Sequence, residues 1–208
     1  NVVLRKNYID NFKTESFDLI AGVTLDEYKL WSAFHPLYKN LSKENLIKRL
    51  SKIFKHSVGD IIELYSDYID DNNYGNLLSS IMTDLTFGSP VEDLLKKNKS
   101  SYGYIFTPQS PLLNGELGAF HASELPYLFG VQNNSVYKKW SPDYRDQTAK
   151  IMQDSWINFA KNGDPSTNHF KWKRFSNSSN YALIGDSINN INSPFKERYQ
   201  LLDHAKNF

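Results

Sequence analysis

Gly118-Ala119-Phe120-His121-Ala122-Ser123-Glu124-Leu125-Pro126-Tyr127-Leu128-Phe129-Gly130 is the stretch on which the reading of this 208-residue chain turns. One histidine stands among small residues that let other groups approach its imidazole, followed by an acid and an aromatic and aliphatic run. Upstream, residues 102–107 (Tyr-Gly-Tyr-Ile-Phe-Thr) are aromatic and β-branched and stop at Pro108, which predicts a strand. His121 therefore belongs to a loop beyond a strand. A single histidine is more often a satisfied polar residue than a catalytic one, so its meaning depends on a partner.

A partner is present near the start of the chain. Leu19-Ile20-Ala21-Gly22-Val23 is a short apolar run followed by Thr24, Asp26 and Glu27, which reads as a buried strand ending in a polar loop. Alone, Asp26 and Glu27 read as a solvated turn. Glu27 precedes His121 by 94 positions. Hydrolases of the α/β type order their triads serine, then acid, then histidine, each on a loop at a strand's carboxyl end. A strand with an acid, then a strand with a histidine, is the second half of that order.

The remaining segments predict a helical frame. Ser42 can cap a helix showing Leu46, Ile47, Leu50, Ile53 and Phe54 on one side. Further helices are expected over residues 60–69 and 76–87. Gly88-Ser89-Pro90 is expected to end the latter, with a new helix starting at Val91. Ser141-Pro142 predicts the start of a long helix bearing Ala149, Met152, Trp156, Phe159 and Ala160, and Asn162-Gly163 its end. A short strand is expected at residues 181–185, then a last helix capped by Ser193. The fold class is α/β, with two or three strands that suit one edge of a larger sheet.

Composition narrows the function classes. A hydrophobic content of 40% and an aromatic content of 14% argue for a folded chain. The net charge of +1 gives no reason to expect nucleic acid or an anionic membrane as partner, and no apolar run is long enough to span a bilayer. There is no cysteine, which excludes disulfides, thiolate metal sites and cysteine nucleophiles and fits a reducing, cytoplasmic setting. None of His35, His56, His121, His169 and His204 sits in a zinc-type pair, and no phosphate-binding glycine motif occurs, so no metal or cofactor is expected. The chain starts at Asn1 without Met, as an internal start, a processed product or an expression fragment would.

The loop around His121 resembles the histidine loop of type-B carboxylesterases, the carboxylesterase/cholinesterase family, in its bacterial para-nitrobenzyl-esterase-like form. Ala21-Gly22-Val23-Thr24-Leu25-Asp26-Glu27 resembles the acid loop of that family, although Tyr28 replaces its usual glycine. Ser155-Trp156-Ile157-Asn158-Phe159-Ala160-Lys161-Asn162-Gly163-Asp164-Pro165 is similar to its late helix and turn, and Trp172 to the tryptophan beyond. The resemblance implies that residues 1–208 are the C-terminal part of one α/β-hydrolase domain, with residues 39–96 as a helical insert. It also implies that Glu27 and His121 are the acid and base of a Ser-Glu-His triad acting on a small carboxylic ester.

The nucleophile elbow and glycine-rich oxyanion loop of that family do not occur here, and no serine is flanked as G-x-S-x-G. The expected partner is therefore an N-terminal half of the same esterase, in the same or a separate chain, and this chain alone is expected to be inert. The alternative is an inactive cholinesterase-like binding module. Glu124 reads as a structural acid bonded to loop amides or a basic residue, and Trp156, Phe159 and Trp172 as core. Phe120, Trp31 and Phe34 are candidates to line a substrate pocket.

Overall fold

The computed structural model describes residues 17–131, 134–140, 146–175 and 179–206. The polar lead-in and the Ser141-Pro142 helix start lie outside the described residues. Four strands form one sheet in the order β1-β2-β3-β4. They are β1 (Leu19–Thr24), β2 (Ser101–Phe106), β3 (Asn180–Ile184) and β4 (Ile188–Asn192). β1, β2 and β3 run parallel, and β4 pairs antiparallel with β3.

Three strands coincide within one residue with the runs expected from sequence. β4 was not expected: Ile-Asn-Asn-Ile-Asn has neither period-two alternation nor the β-branched density that marks a strand, and its pairing to β3 supplies what propensity does not. Among the described residues β1 pairs only with β2. Its outer edge carries no charge, proline or bulge, the features by which natural edge strands avoid pairing.

The connection from β1 to β2 is helical. It comprises α1 (Lys29–Ser32), α2 (Pro36–Lys39), α3 (Lys43–Leu50), α4 (Val58–Leu64), a 3-10 turn (Ser66–Tyr68), α5 (Gly75–Thr83) and α6 (Ser89–Lys97). Ser42 accepts a hydrogen bond from the Asn45 N–H, as a cap should. Leu46, Leu50, Phe54, Ile61, Tyr65, Leu77 and Ile81 form a separate core with Leu202 and Ala205 of the last helix. Gly88-Ser89-Pro90 does not break the chain as expected. A π-helical turn, Asp84–Gly88, joins α5 to α6, and Pro90 falls in the first turn of α6, where its missing N–H costs least.

The connection from β2 to β3 carries the His121 loop, α7 (Leu125–Phe129) and α8 (Asp146–Asn162). Gly163 closes α8 at φ +70°, its N–H bonded to the Phe159 carbonyl at 2.8 Å. Met152, Trp172, Tyr102 and Phe106 pack together under this face of the sheet, and the Trp172 indole N–H donates to Ser155 at 3.1 Å. Trp156 and Phe159 pack against the same cluster, in keeping with their reading as core. The last helix, α9 (Lys196–Lys206), is not capped by Ser193: that hydroxyl donates instead to Glu92 at 2.9 Å, and the Phe195 carbonyl accepts the first helical bond.

Candidate active site

Because β1 and β2 are parallel neighbours, the loops leaving their carboxyl ends emerge on the same edge of the sheet, where parallel α/β sheets place their sites. Glu27 lies three residues beyond β1, and His121 lies in the loop that follows β2. The His121 Nδ1 atom is 2.6 Å from Glu27 Oε2, and Glu27 Oε1 accepts the Thr24 N–H at 2.8 Å. Glu27 is buried, 5% exposed, whereas 42% of the His121 side chain is exposed. The carboxylate thus holds one ring nitrogen of an imidazole that stays partly exposed.

Asp26 joins the two loops. Its N–H donates to the Ala119 carbonyl at 2.9 Å, and its Oδ2 accepts the Ala119 N–H at 3.0 Å. Lys29 pairs with the other carboxylate oxygen at 3.0 Å. Gly118 makes room for this clamp: its φ is +58°, and a Cβ there would stand 2.2 Å from Asp26 Oδ2. Asp26 is therefore no solvated turn residue. The acid loop is also tied to α5, through Tyr28 N–H to Thr83 Oγ1 at 3.0 Å and Ser32 to Ser79 at 2.8 Å.

Two aromatic rings flank the imidazole. Trp31 and Phe87 each lie 5.2 Å from it, centroid to centroid, and stack on one another at 5.9 Å. They limit the rotation of the ring and lower the dielectric beside the His121–Glu27 bond. Of the residues considered for a pocket wall, Trp31 reaches the site and is 45% exposed, while Phe120 is buried against Trp140. Phe34 is 64% exposed. Phe87 has no signal in the sequence; it arrives through the π-turn, whose first residue Asp84 is bound by Arg198 Nε at 2.7 Å and by the Tyr65 hydroxyl.

Glu124 meets expectation only in part: its carboxyl takes a hydrogen bond from one loop amide, its own N–H. Its Oε2 is buried without a hydrogen-bond partner, as are the hydroxyls of Thr24 and Ser123. Burial raises its carboxyl above the usual range; its own N–H opposes this, Glu27 adds to it and His121 opposes it. Each such orphaned atom costs about 1–3 kcal/mol. Among the described residues no three His, Asp or Glu side chains converge as a metal-ligating group, and no helix is long and apolar enough to cross a membrane.

Residues 2–202 match the model of the carboxylesterase family. The chain belongs to that family. It is 29% identical over 197 residues to the para-nitrobenzyl esterase of Bacillus subtilis (strain 168), covering 90% of this chain and 38% of that protein. It is 24% identical to the phenmedipham hydrolase of Pseudarthrobacter oxydans over 86% of this chain and 38% of that one. Among solved structures, a PNB esterase superposes with a TM-score of 0.69 at 24% identity, covering 93% of this chain and 40% of the other. A Geobacillus stearothermophilus carboxylesterase superposes at 0.72 and 23%, covering 88% and 39%. The chain therefore has an α/β-hydrolase fold and spans about 38% of the length of the first two relatives.

Proposed function

We propose that residues 1–208 are the C-terminal part of a single α/β-hydrolase domain, with residues 39–96 as a helical insert, that supplies the acid and base of a serine carboxylesterase. The observation that carries this reading is the 2.6 Å contact between His121 Nδ1 and Glu27 Oε2 at the ends of two adjacent parallel strands. The partner is an N-terminal half that brings the nucleophilic serine and the oxyanion-binding N–H groups, and the substrate is a small carboxylic ester.

In this mechanism the serine oxygen attacks the ester carbonyl as His121 Nε2 takes its proton. The imidazolium, stabilised by Glu27, returns that proton to the alkoxide as the carbon–oxygen bond breaks and alcohol leaves. Water then attacks the acyl-serine with His121 again as base, and the acid and free serine result. Glu27 accepts a hydrogen bond from Nδ1–H throughout, the proton staying on the ring, and so fixes the tautomer that leaves Nε2 basic. The 29% identity to a para-nitrobenzyl esterase supports ester hydrolysis as the reaction class.

The test is hydrolysis of a chromogenic carboxylic ester by this chain alone and by the complete protein with its N-terminal half. The complete protein is expected to turn over in a His121-dependent way, with a serine-directed phosphonate labelling the N-terminal half, and the chain alone to be inert. Saturable His121-dependent turnover by the chain alone would overturn its incompleteness. An inert complete protein would overturn the hydrolase reading in favour of a binding module.

A further inference from the structure

The net charge of +1 hides an uneven distribution. Residues 39–56 carry Lys39, Lys43, Lys48, Arg49, Lys52 and Lys55 against one acid, Glu44, a local charge of +5 with His56 neutral. The other 190 residues hold 18 cations against 22 acids, a charge of −4. Leu46, Leu50 and Phe54 turn the inner side of α3 into the core. The outer side carries Asn45, Lys48, Arg49 and Lys52 at i, i+3, i+4 and i+7, one face of the helix. The turn beyond Leu50 continues that face, the Lys52 N–H donating to the Arg49 carbonyl at 3.1 Å. With Ile53 these four line a depression of about 370 Å³ that holds no carboxylate. Among the described residues Lys29, Lys96, Lys150, Arg198 and Lys206 each pair with an acid, and none of Lys43, Lys48, Arg49 and Lys52 does. Lys48 and Lys52, one turn apart, repel instead. The helix dipole accounts for a cation or two in the last turn of α3, not for the whole cluster.

We propose that this basic face docks the protein on an anionic lipid surface, with Lys48, Arg49 and Lys52 against the headgroup phosphates. Charge complementarity selects a polyanion, and the apolar neighbours select a membrane over a nucleic acid. Ile47 and Ile53 flank the cations at 40% and 41% exposed, where they can settle among the headgroups. Lys43 and Ile47 also border a groove of about 580 Å³ walled by Val58, Ile62, Ile69 and Tyr74. Attachment in a membrane interface grows with buried apolar area and with attraction to anionic lipids, and this helix offers both. The basic face has no aromatic ring on which bases could stack, and a phosphate backbone has no use for an apolar groove. Each lysine or arginine at an anionic surface strengthens attachment about fivefold, so three give about a hundredfold. The attachment is peripheral, since among the described residues no helix is long and apolar enough to cross a membrane. Docking does not depend on the hydrolase reading; together they put the enzyme where apolar esters dissolve.

The experiment is co-sedimentation of the complete protein with vesicles of phosphatidylcholine alone and of phosphatidylcholine mixed with phosphatidylserine. The protein is expected to sediment with the phosphatidylserine vesicles only, and to be released as added salt screens the attraction. Lys48→Gln, Arg49→Gln and Lys52→Gln should each weaken binding about fivefold, and the triple variant about a hundredfold. These side chains are exposed, so urea midpoints and hydrolysis of a soluble chromogenic ester should stay near wild type, which separates lost docking from a lost fold. No sedimentation with phosphatidylserine vesicles, equal sedimentation with both kinds, or full binding by the triple variant overturns the proposal. Tighter binding to a labelled RNA or DNA than to the vesicles overturns it in favour of a nucleic acid. A protein that binds vesicles but leaves the soluble ester intact sinks the hydrolase reading alone, because sedimentation needs no catalysis.

Discussion

His121 Nδ1 and Glu27 Oε2 stand 2.6 Å apart across 94 residues of chain. Neither loop sets this distance alone: the register of β1 on β2 aligns their ends, and the Asp26–Ala119 bonds close the remaining gap. Glu27→Gln in the complete esterase can still reach Nδ1 but favours the wrong tautomer. Its kcat should fall by about a thousand- to ten-thousand-fold with KM little changed. Steady-state hydrolysis of a chromogenic ester measures this, and a near-wild-type rate removes Glu27 from the mechanism.

The clamp makes a second expectation. Asp26→Ala loses the bond to the Ala119 N–H and the Lys29 pair, and should cost about 1–2 kcal/mol in urea denaturation. Gly118→Ala should cost about 1–3 kcal/mol, since it places a Cβ against Asp26 in a left-handed backbone conformation. Because both displace the His121 loop, each should also lower kcat. A loss of stability with kcat intact would confine the clamp to folding.

Asp84 and Arg198 bind the last helix to the π-turn that presents Phe87. Arg198 Nη2 reaches Asp84 Oδ2 at 2.5 Å, and its guanidinium lies 4.5 Å over the Tyr65 ring. Arg198→Met strands a buried carboxylate and should cost about 3–5 kcal/mol, measured by urea denaturation. Adding Asp84→Asn should recover part of that loss. A double variant no better than the single would mean that the stacking of Arg198 on the rings, and not the ion pair, is what holds the π-turn.

Glu124 gives a pH dependence of defined sign. Its folded carboxyl titrates above its unfolded value because of burial. The folded state therefore holds the extra proton, and stability is full below the unfolded pKa and declines as pH rises toward the folded one. Replacing Glu124 by Gln should flatten that decline from about pH 4.5 upward, read as the urea midpoint against pH. Parallel curves for the two proteins would show that the group ionises freely.

The strands bearing the candidate site were legible because Leu19–Val23 and residues 102–107 are compact apolar or aromatic runs with polar ends. The pair itself was legible through the order of acid and histidine and the resemblance of their loops. What escaped depends on long-range partners. β4 is a strand only because β3 pairs with it, Ser193 leaves its capping role because Glu92 is near, and Gly88-Ser89-Pro90 stays helical through the π-turn. Phe87 reaches His121 across the whole of β2, a contact no local pattern encodes. For Glu124, burial was readable, but the lack of a bond to Oε2 emerges only from the packed loops.

The outer edge of β1 bears on how a chain of this kind is made. Among the described residues, the outer side of Leu-Ile-Ala-Gly-Val-Thr leaves a row of backbone donors and acceptors unpaired, open to an extended peptide. If the serine-bearing half proposed above precedes this segment in one polypeptide, it is already outside the ribosome when β1 emerges. The order of translation then acts as the chaperone of this strand. Produced without that half, the same edge meets other copies of itself, and concentration in the cell decides whether it pairs or precipitates.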